Sequence, residues 1–162
     1  SVGISKVNNE KELEQAILEA AKYDKKILIE EGIDGREVEC AVLGNEDVQC
    51  SCVGEIIAAD EFYSYDAKYK NQESKTLIPA EISTEKSDEI RKLAVKAFKA
   101  IDGKGLSRVD FFIENGTDKI FINEINTLPG FTSISMYPKL FEQVGVEYSE
   151  LLDRVIDLAF RR

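Results

Sequence analysis

Apolar residues recur along this chain with two periods, one typical of helices and the other of strands. Residues 9–21 carry apolar positions three and four apart, behind Asn9 as an N-cap and Glu12 three positions on. Residues 83–101 repeat this spacing, and 137–145 and 148–162 have the pattern of two further helices. The two longer stripes consist of Leu13, Ala16, Ile17, Ala20 and Ala21, and of Ile90, Leu93, Ala94, Ala97, Phe98 and Ile101.

Short apolar runs between polar stretches predict strands. The three runs lie at 25–31, 38–44 and 46–57, and residues 32–37 are expected to form a turn between the first two. Residues 105–126 have the form of a β-hairpin around the loop 115–119. A polar loop rich in tyrosine occupies 60–75, and a loop of this length is usually functional or mobile. Together the elements predict an α+β fold, a mostly antiparallel sheet with helices packed on it.

Length and charge narrow the classes of protein that fit. The 162 residues suit a single domain, and the 43% that are hydrophobic suffice for a core. The formal net charge of −10 argues against a nucleic-acid partner, because no basic stripe could neutralise phosphates. No apolar run reaches the roughly 18 residues of a membrane span, so no membrane partner is expected. The start "SVGIS" has neither a methionine nor a signal-peptide pattern, so we expect a fragment.

The cysteines indicate the redox compartment, and the absence of histidine limits the catalytic groups that the chain can offer. Cys40, Cys50 and Cys52 are odd in number, which suggests reduced thiols in the cytoplasm with a place in the core. Zinc binding by Cys50 and Cys52 is the alternative, but the chain has no histidine to complete a site. The same absence removes the usual general base and the serine–histidine pair of acyl transfer.

The hairpin places polar side chains within an apolar rhythm. We expect it to close with Glu114 opposite Ile120. The cross-strand pairs that follow from this closure are Phe112 with Ile122, Asp110 with Glu124, and Arg108 with Asn126. All six of these side chains would lie on one face, and a one-residue slip would turn the set of one strand to the other face.

Asp110 and Glu124 would then face each other, and like charges directly opposite destabilise a sheet. A cation between or beside them removes that repulsion. With the amide oxygen of Asn126 they form an all-oxygen set suited to Mg²⁺, which keeps open positions for phosphates and water. The alternative is an ordinary solvated hairpin face. Phe112 and Ile122 argue against it, because they imply that the face is partly covered.

The motifs "GLSRVDFF" and "FINEINTLPGFTSISMYPKL" resemble the C-terminal part of D-alanine–D-alanine ligase, a member of the ATP-grasp superfamily. "SVGISKV", "ILIEEGIDGREVECAVLG" and "EFYSYDAKY" follow the family's order, so the resemblance runs along residues 1–162. It implies a C-terminal ATP-grasp domain without the family's N-terminal domain and the start of its central domain. It also implies a cytoplasmic, homodimeric ligase that joins two D-alanines with ATP for peptidoglycan synthesis.

The resemblance assigns metal and nucleotide positions. Asp110, Glu124 and Asn126 would hold two Mg²⁺ ions, for which Mn²⁺ can substitute. The nucleotide-binding positions that it implies are Ser1, Glu30, Glu31, Gly32, Ile33, Glu37, Phe62, Lys68, Phe112 and Asn123. In this set the backbone of 30–33 would meet the adenine edge, Glu37 the ribose hydroxyls, and Lys68 a phosphate from a closing loop.

The resemblance also assigns the acyl-transfer and acceptor positions. Arg108 and the backbone N–H of Gly130 would form the oxyanion site. Ser135, with the backbone of Met136, would hold the carboxylate of the second substrate. Tyr69 would indicate D-alanine as the second substrate, because a tyrosine near this position accompanies that substrate in the family.

Taken by themselves, several of these residues have plainer interpretations. Lys68 is then a solvated lysine, Phe62 and Phe112 are core residues, the glutamates are a charged strand end, and Gly130 belongs to an ordinary turn. Two rival functions remain beside the D-alanine–D-alanine ligase. One is another D-alanine–D-X ligase such as a D-alanine–D-serine ligase, and the other is an ATP-binding fragment that is inactive in isolation.

Overall fold

The computed structural model describes residues 2–57 and 75–161. Its elements are α1 (Glu10–Ala20), β1 (Gly35–Gly44), β2 (Gln49–Ile57), β3 (Lys75–Leu77), α2 (Thr84–Ala100), β4 (Gly105–Glu114), β5 (Ile120–Asn126), α3 (Met136–Glu142) and α4 (Tyr148–Phe160). The described residues divide into two compact units, one of residues 2–34 and the other of 35–57 with 75–161.

The first unit contains α1 and an extended segment. The side chain of Asn9 accepts a hydrogen bond from the Glu12 N–H at 3.0 Å and donates one to the Glu12 carboxylate at 2.8 Å. This reciprocal cap confirms the predicted start of the helix. The strand predicted at 25–31 is wrong, because no described strand pairs with this segment and a strand needs a hydrogen-bonded neighbour. Leu28 and Ile29 are 78% and 64% exposed.

The second unit is built on a five-stranded antiparallel sheet of order β3-β2-β1-β4-β5. The predicted α+β class is confirmed. β1 begins at Gly35, so the predicted turn at 32–37 ends earlier than expected. β3 was not predicted, because three residues carry too little pattern to identify a strand.

Helix α2 covers one face of the sheet. Its buried residues Ile90, Ala94 and Phe98 lie on the predicted stripe, and Leu93 and Ala97 are partly buried beside them. They pack on alternate residues of the central strands: Val38, Cys40 and Val42 of β1, and Val109, Phe111 and Ile113 of β4. Ile101 was predicted in the same stripe but is 49% exposed, because the helix has already ended at this C-cap position.

Helices α3 and α4 cover part of the opposite face. Met136, Leu140 and Leu151 pack there with Ala41 and Leu43 of β1. α3 lies so close to β2 that a Cβ on Gly54 would come within 2.7 Å of the Leu140 and Met136 side chains. The rest of this face, beyond the helices, carries the polar residues of the hairpin. No helix in the described ranges is long and apolar enough to cross a bilayer.

Candidate functional site

The hairpin pairs β4 with β5 in the predicted register at its polar end. Asp110 lies opposite Glu124, and Arg108 lies opposite Asn126. Both pairs therefore occupy the same sheet face, two residues apart along each strand. This face is the one that α3 and α4 partly cover, because Ala41 pairs with Arg108 across β1 and β4 and packs against these helices.

The predicted register fails nearer the loop. Phe112 pairs with Phe121 and Phe111 pairs with Ile122, because the pairing shifts between Asp110 and Phe111. Asn123 is the extra residue of this β-bulge. Ile122 therefore does not share the face of Asp110. Phe121 lies opposite Phe112, in the position that was predicted for Ile122. The hairpin loop is one residue shorter than predicted, since the Glu114 N–H bonds to the Lys119 carbonyl at 2.9 Å.

A third carboxylate extends the polar row onto β1. Glu39 pairs with Asp110 in register, as Asp110 does with Glu124, so three acidic residues lie side by side across three strands. Glu39 and Asp110 are 1% and 3% exposed, whereas Glu124 on the edge strand is exposed. Such a row is unfavourable without a positive charge beside it.

Arg108 supplies that positive charge. Its Nε and Nη2 donate to the two oxygens of Asp110, both at 2.7 Å, which is the bidentate fork that guanidinium and carboxylate favour. Its Nε also lies 3.1 Å from Oε2 of Glu39. Burial alone would lower the pKa of Arg108, but the hydrogen bond to Asp110 and the charges of Glu39, Asp110 and Glu124 outweigh it and raise the pKa. Arg108 therefore stays charged.

The predicted ligand set fits a hard divalent cation. Asp110, Glu124 and Asn126 offer only oxygen donors on one face, and carboxylate oxygens keep further lone pairs when one is hydrogen-bonded. The Asn126 side-chain oxygen accepts the Leu128 N–H at 3.3 Å, which turns the chain after β5. Within 2–57 and 75–161, no three His, Cys, Asp or Glu side chains form a metal-binding group, so a cation here would need the asparagine oxygen.

Of the predicted nucleotide-binding residues, Glu37 and Phe112 lie beside this site. They pair across β1 and β4, two residues from Glu39 and Asp110. Both are partly buried. Asn123 is exposed at the bulge, outside the regular alternation of β5.

Three of the predicted acyl-transfer and acceptor residues, Gly130, Ser135 and Met136, lie in the loop before α3 or at the start of that helix. A Cβ on Gly130 would come within 2.9 Å of the Ser135 hydroxyl, so the two residues are in contact. The Ser135 hydroxyl is 2.8 Å from that of Thr132 and accepts the Thr132 N–H at 3.1 Å. Met136 follows as the first, buried residue of α3. Phe131 anchors the loop, because its carbonyl accepts the Tyr148 hydroxyl at 3.0 Å.

The remaining predicted residues either belong to the first unit or lie outside the described residues. Glu30, Glu31, Gly32 and Ile33 belong to the extended segment of the first unit. Ser1, Phe62, Lys68 and Tyr69 lie outside the described residues, as does most of the 60–75 loop.

Sequence reasoning missed Glu39. The signal was present, because an acidic residue interrupts the apolar run "VECAVL" two positions after Glu37 and hence on the same face. The hairpin alone did not show which strand would lie beside Asp110. The cysteines agree better with prediction: all three are free thiols, Cys40 is buried in the core, and Cys50 and Cys52 are partly buried.

Known proteins resemble this chain along its length. The ligase from Acetivibrio thermocellus named D-alanine–D-alanine ligase is 59% identical over all 162 residues, which cover 43% of that protein. The protein of the same name from Clostridium acetobutylicum is 53% identical over the whole chain and 47% of its own length. The chain thus spans a little under half the length of these relatives.

Solved structures agree in fold. The D-alanine–D-alanine ligase from Coxiella burnetii matches with a TM-score of 0.87 and 40% identity, over 100% of this chain and 42% of that one. VanG D-Ala:D-Ser ligase from Enterococcus faecalis matches with a TM-score of 0.86 and 41% identity, over 96% and 45%. The sequence model of the family described as "D-ala D-ala ligase C-terminus" matches residues 1–157. The chain belongs to that family.

Proposed function

We propose that this chain is the C-terminal part of an ATP-dependent ligase that joins two D-alanines. The observation that carries the proposal is the polar row, in which Asp110 and Glu124 face each other in register with Arg108 against Asp110. An acidic pair with an all-oxygen ligand set and a permanently charged arginine suits a reaction on the phosphates of a nucleotide. Membership of the family supports the substrate.

The proposed reaction has two steps. The carboxylate of a first D-alanine attacks the γ-phosphate of ATP, which forms an acylphosphate and releases ADP. The amine of a second D-alanine then attacks the acyl carbon, and phosphate leaves as the peptide bond forms. Neither step needs a protein nucleophile, which suits a chain without histidine. Catalysis of this kind comes from positioning and charge stabilisation.

The residues of this chain divide that work. Asp110, Glu124 and Asn126 would hold two Mg²⁺ ions, or Mn²⁺, which neutralise the charge of the triphosphate when bound. Arg108, with the N–H of Gly130, would stabilise negative charge on the reacting phosphate and the acyl oxygen. Ser135 and the backbone of Met136 would orient the carboxylate of the second substrate.

We propose that Glu37 binds the ribose and that Phe112 and Asn123 line the nucleotide pocket, with residues 30–33 at the adenine. Ser1, Phe62 and Lys68 would complete it near the adenine and the phosphates, and Tyr69 would accompany the acceptor D-alanine. The full-length enzyme would work in the cytoplasm as a homodimer and supply a dipeptide for peptidoglycan precursors, without a nucleic-acid or membrane partner.

The test is turnover by the full-length protein. With ATP, Mg²⁺ and D-alanine it should release ADP and phosphate in equal amounts, with D-alanyl-D-alanine identified by mass spectrometry. L-Alanine serves as the control substrate. ADP release without dipeptide, or no dependence on D-alanine, would refute the proposal.

A second candidate differs only in the acceptor. The likeness to a protein named D-Ala:D-Ser ligase makes D-serine the alternative second substrate. Competition between equal concentrations of D-alanine, D-serine and D-lactate decides between them. Predominant formation of D-alanyl-D-alanine supports the first candidate, and predominant D-alanyl-D-serine supports the second.

A further inference from the structure

Arg108 is shared between two buried carboxylates. Its Nε is 2.7 Å from Oδ1 of Asp110 and 3.1 Å from Oε2 of Glu39. The two carboxylates are register partners on adjoining strands, so the guanidinium lies against both from the next row of the same face. The Arg108 side chain is 20% exposed and that of Glu39 is 1% exposed.

The proposed reaction requires different roles of Asp110 and Glu39. Asp110 must contact a divalent cation, and a cation that approaches it competes with Arg108 for the same oxygens. No contact with a cation is assigned to Glu39, whose carboxylate is almost fully buried. Glu39 can therefore keep its contact with Arg108 when Asp110 turns to the cation.

Stability alone is a poor reason for a carboxylate at this position. Removing a carboxylate from water is costly, and well-packed apolar residues in place of a buried ion pair are often neutral or stabilising. The sheet holds a comparable pair elsewhere, in which Arg36 binds both oxygens of Glu55 at 2.7 and 2.6 Å. Glu55 is 7% exposed and pairs with Val38, which places it on the α2 face, away from the polar row.

We propose that Glu39 is a positioning residue: it fixes the guanidinium of Arg108 and thereby leaves Asp110 able to bind a divalent cation. The proposal rests on the proposed ligase function. Glu39 does not contact the substrate in this proposal. It acts on the site only through Arg108.

The first experiment measures Mn²⁺ binding to the full-length protein by electron paramagnetic resonance of free Mn²⁺, with no substrate. In Glu39→Gln, Arg108 should pair with Asp110 alone and hold it, so that Mn²⁺ affinity falls about 10–100-fold, as for other residues that orient metal ligands. Glu55→Gln is the matched control, because it removes the same charge from a similar arginine pair on the other face. Its Mn²⁺ affinity should stay within about twofold of wild type. Glu39→Asp retains the charge and should recover part of the loss.

The second experiment asks whether Glu39 acts through Arg108. Glu39→Gln should lower kcat about 10–100-fold with a much smaller change in the KM for ATP. In an Arg108→Gln background, the same substitution should lower kcat little further, because the effects of residues that act as a unit are not additive. Circular dichroism and thermal unfolding of each variant establish that it is folded.

The outcomes separate the two proposals. Equal Mn²⁺ affinities for Glu39→Gln and Glu55→Gln, or additive losses of Glu39→Gln and Arg108→Gln, would overturn the role of Glu39 while wild-type turnover stands. An inactive wild-type enzyme that still shows the Mn²⁺ effect would overturn the ligase function and leave the positioning of Arg108 intact.

Discussion

At the scale of single residues, the polar row depends on unequal burial of like charges. Glu39 and Asp110 are almost fully buried, and Glu124 is exposed on the edge strand. Arg108 pairs with the two inner carboxylates, and Glu124 is the one of the three that solvent and a solvated cation reach first. Glu124 should therefore contribute to cation capture more than to folding.

Glu124→Gln tests this division. It should weaken Mn²⁺ binding to the full-length protein and lower ligase turnover, each by about 10-fold or more, because a ligating charge is lost. The free energy of urea unfolding should change by less than about 0.5 kcal/mol, as for most exposed positions. Glu89→Gln is the control, since Glu89 is an exposed residue of α2 on the other side of the sheet. Unchanged Mn²⁺ binding in Glu124→Gln would remove it from the ligand set.

The thiols form a second residue-scale system. A hydrogen bond with Cys40 lowers the pKa of Cys50, against the effect of burial, and the charge of Arg91 lowers it further. The hydrogen bond with Cys50, together with burial, raises the pKa of Cys40. A proton therefore leaves Cys50 first as the pH rises, and Cys50 also lines a surface cavity beside Arg91.

Iodoacetamide should consequently alkylate Cys50 before Cys40 in the folded chain. The rate at Cys50 should rise with pH below the ordinary thiol pKa of about 8.5, since the thiolate is the nucleophile. Peptide mapping by mass spectrometry at a series of pH values measures both sites, and Cys50→Ser provides the control. Alkylation of Cys40 first would contradict the assignment.

At the scale of elements, periodicity predicted α2 and the central strands of the sheet because each of them buries at least one face. It failed at residues 25–31, where an apolar run of strand type has no described strand to pair with. It also failed inside the hairpin, because a bulge has no periodic signal. Asp110 with Glu124 was predicted correctly, while Phe112 with Ile122 was wrong, since the extra residue lies between these two pairs.

The start of α2 offers an element-scale prediction. The Ser83 hydroxyl accepts the Lys86 N–H at 3.2 Å and caps the helix that covers the α2 face. Ser83→Ala should lower the free energy of unfolding of the chain by about 1 kcal/mol in a urea titration. Ser87→Ala, one turn into the same helix, should be neutral or slightly stabilising because alanine has the higher helix propensity. Equal effects of the two substitutions would argue against the cap.

At the scale of the whole molecule, the chain matches only part of the length of its relatives. It spans 43–50% of the length of several curated relatives that it matches, and its described residues form two separate compact units. The family could be predicted from long motifs, and the facing pairs of Asp110 with Glu124 and Arg108 with Asn126 from the hairpin register. The acceptor could not, because Tyr69, which the resemblance associates with the choice of acceptor, lies outside the described residues.

The isolated 162-residue chain should show little or no ligase activity. Both substrates must be held in line for acylphosphate formation, and in a chain of this length part of the relatives' structure that would hold them is missing. Dipeptide formation by the isolated chain should fall at least about 1,000-fold below that of the full-length protein under identical conditions. Comparable turnover would show that these residues suffice.

The bulge at Asn123 has a consequence for anyone who transplants this hairpin into another protein. The half of β5 near the loop and the half that carries Glu124 pair with β4 in registers that differ by one residue. The unpaired Asn123 between them accommodates this difference. If Asn123 instead paired with Asp110 in an unbroken register continued from the loop, Glu124 would lie opposite Val109 and face α2, and Ile125 would lie on the polar face opposite Arg108. A graft that keeps Asn123 must therefore keep the bulge as well, since an unbroken pair of strands with the same sequence would lose the acidic partner of Asp110.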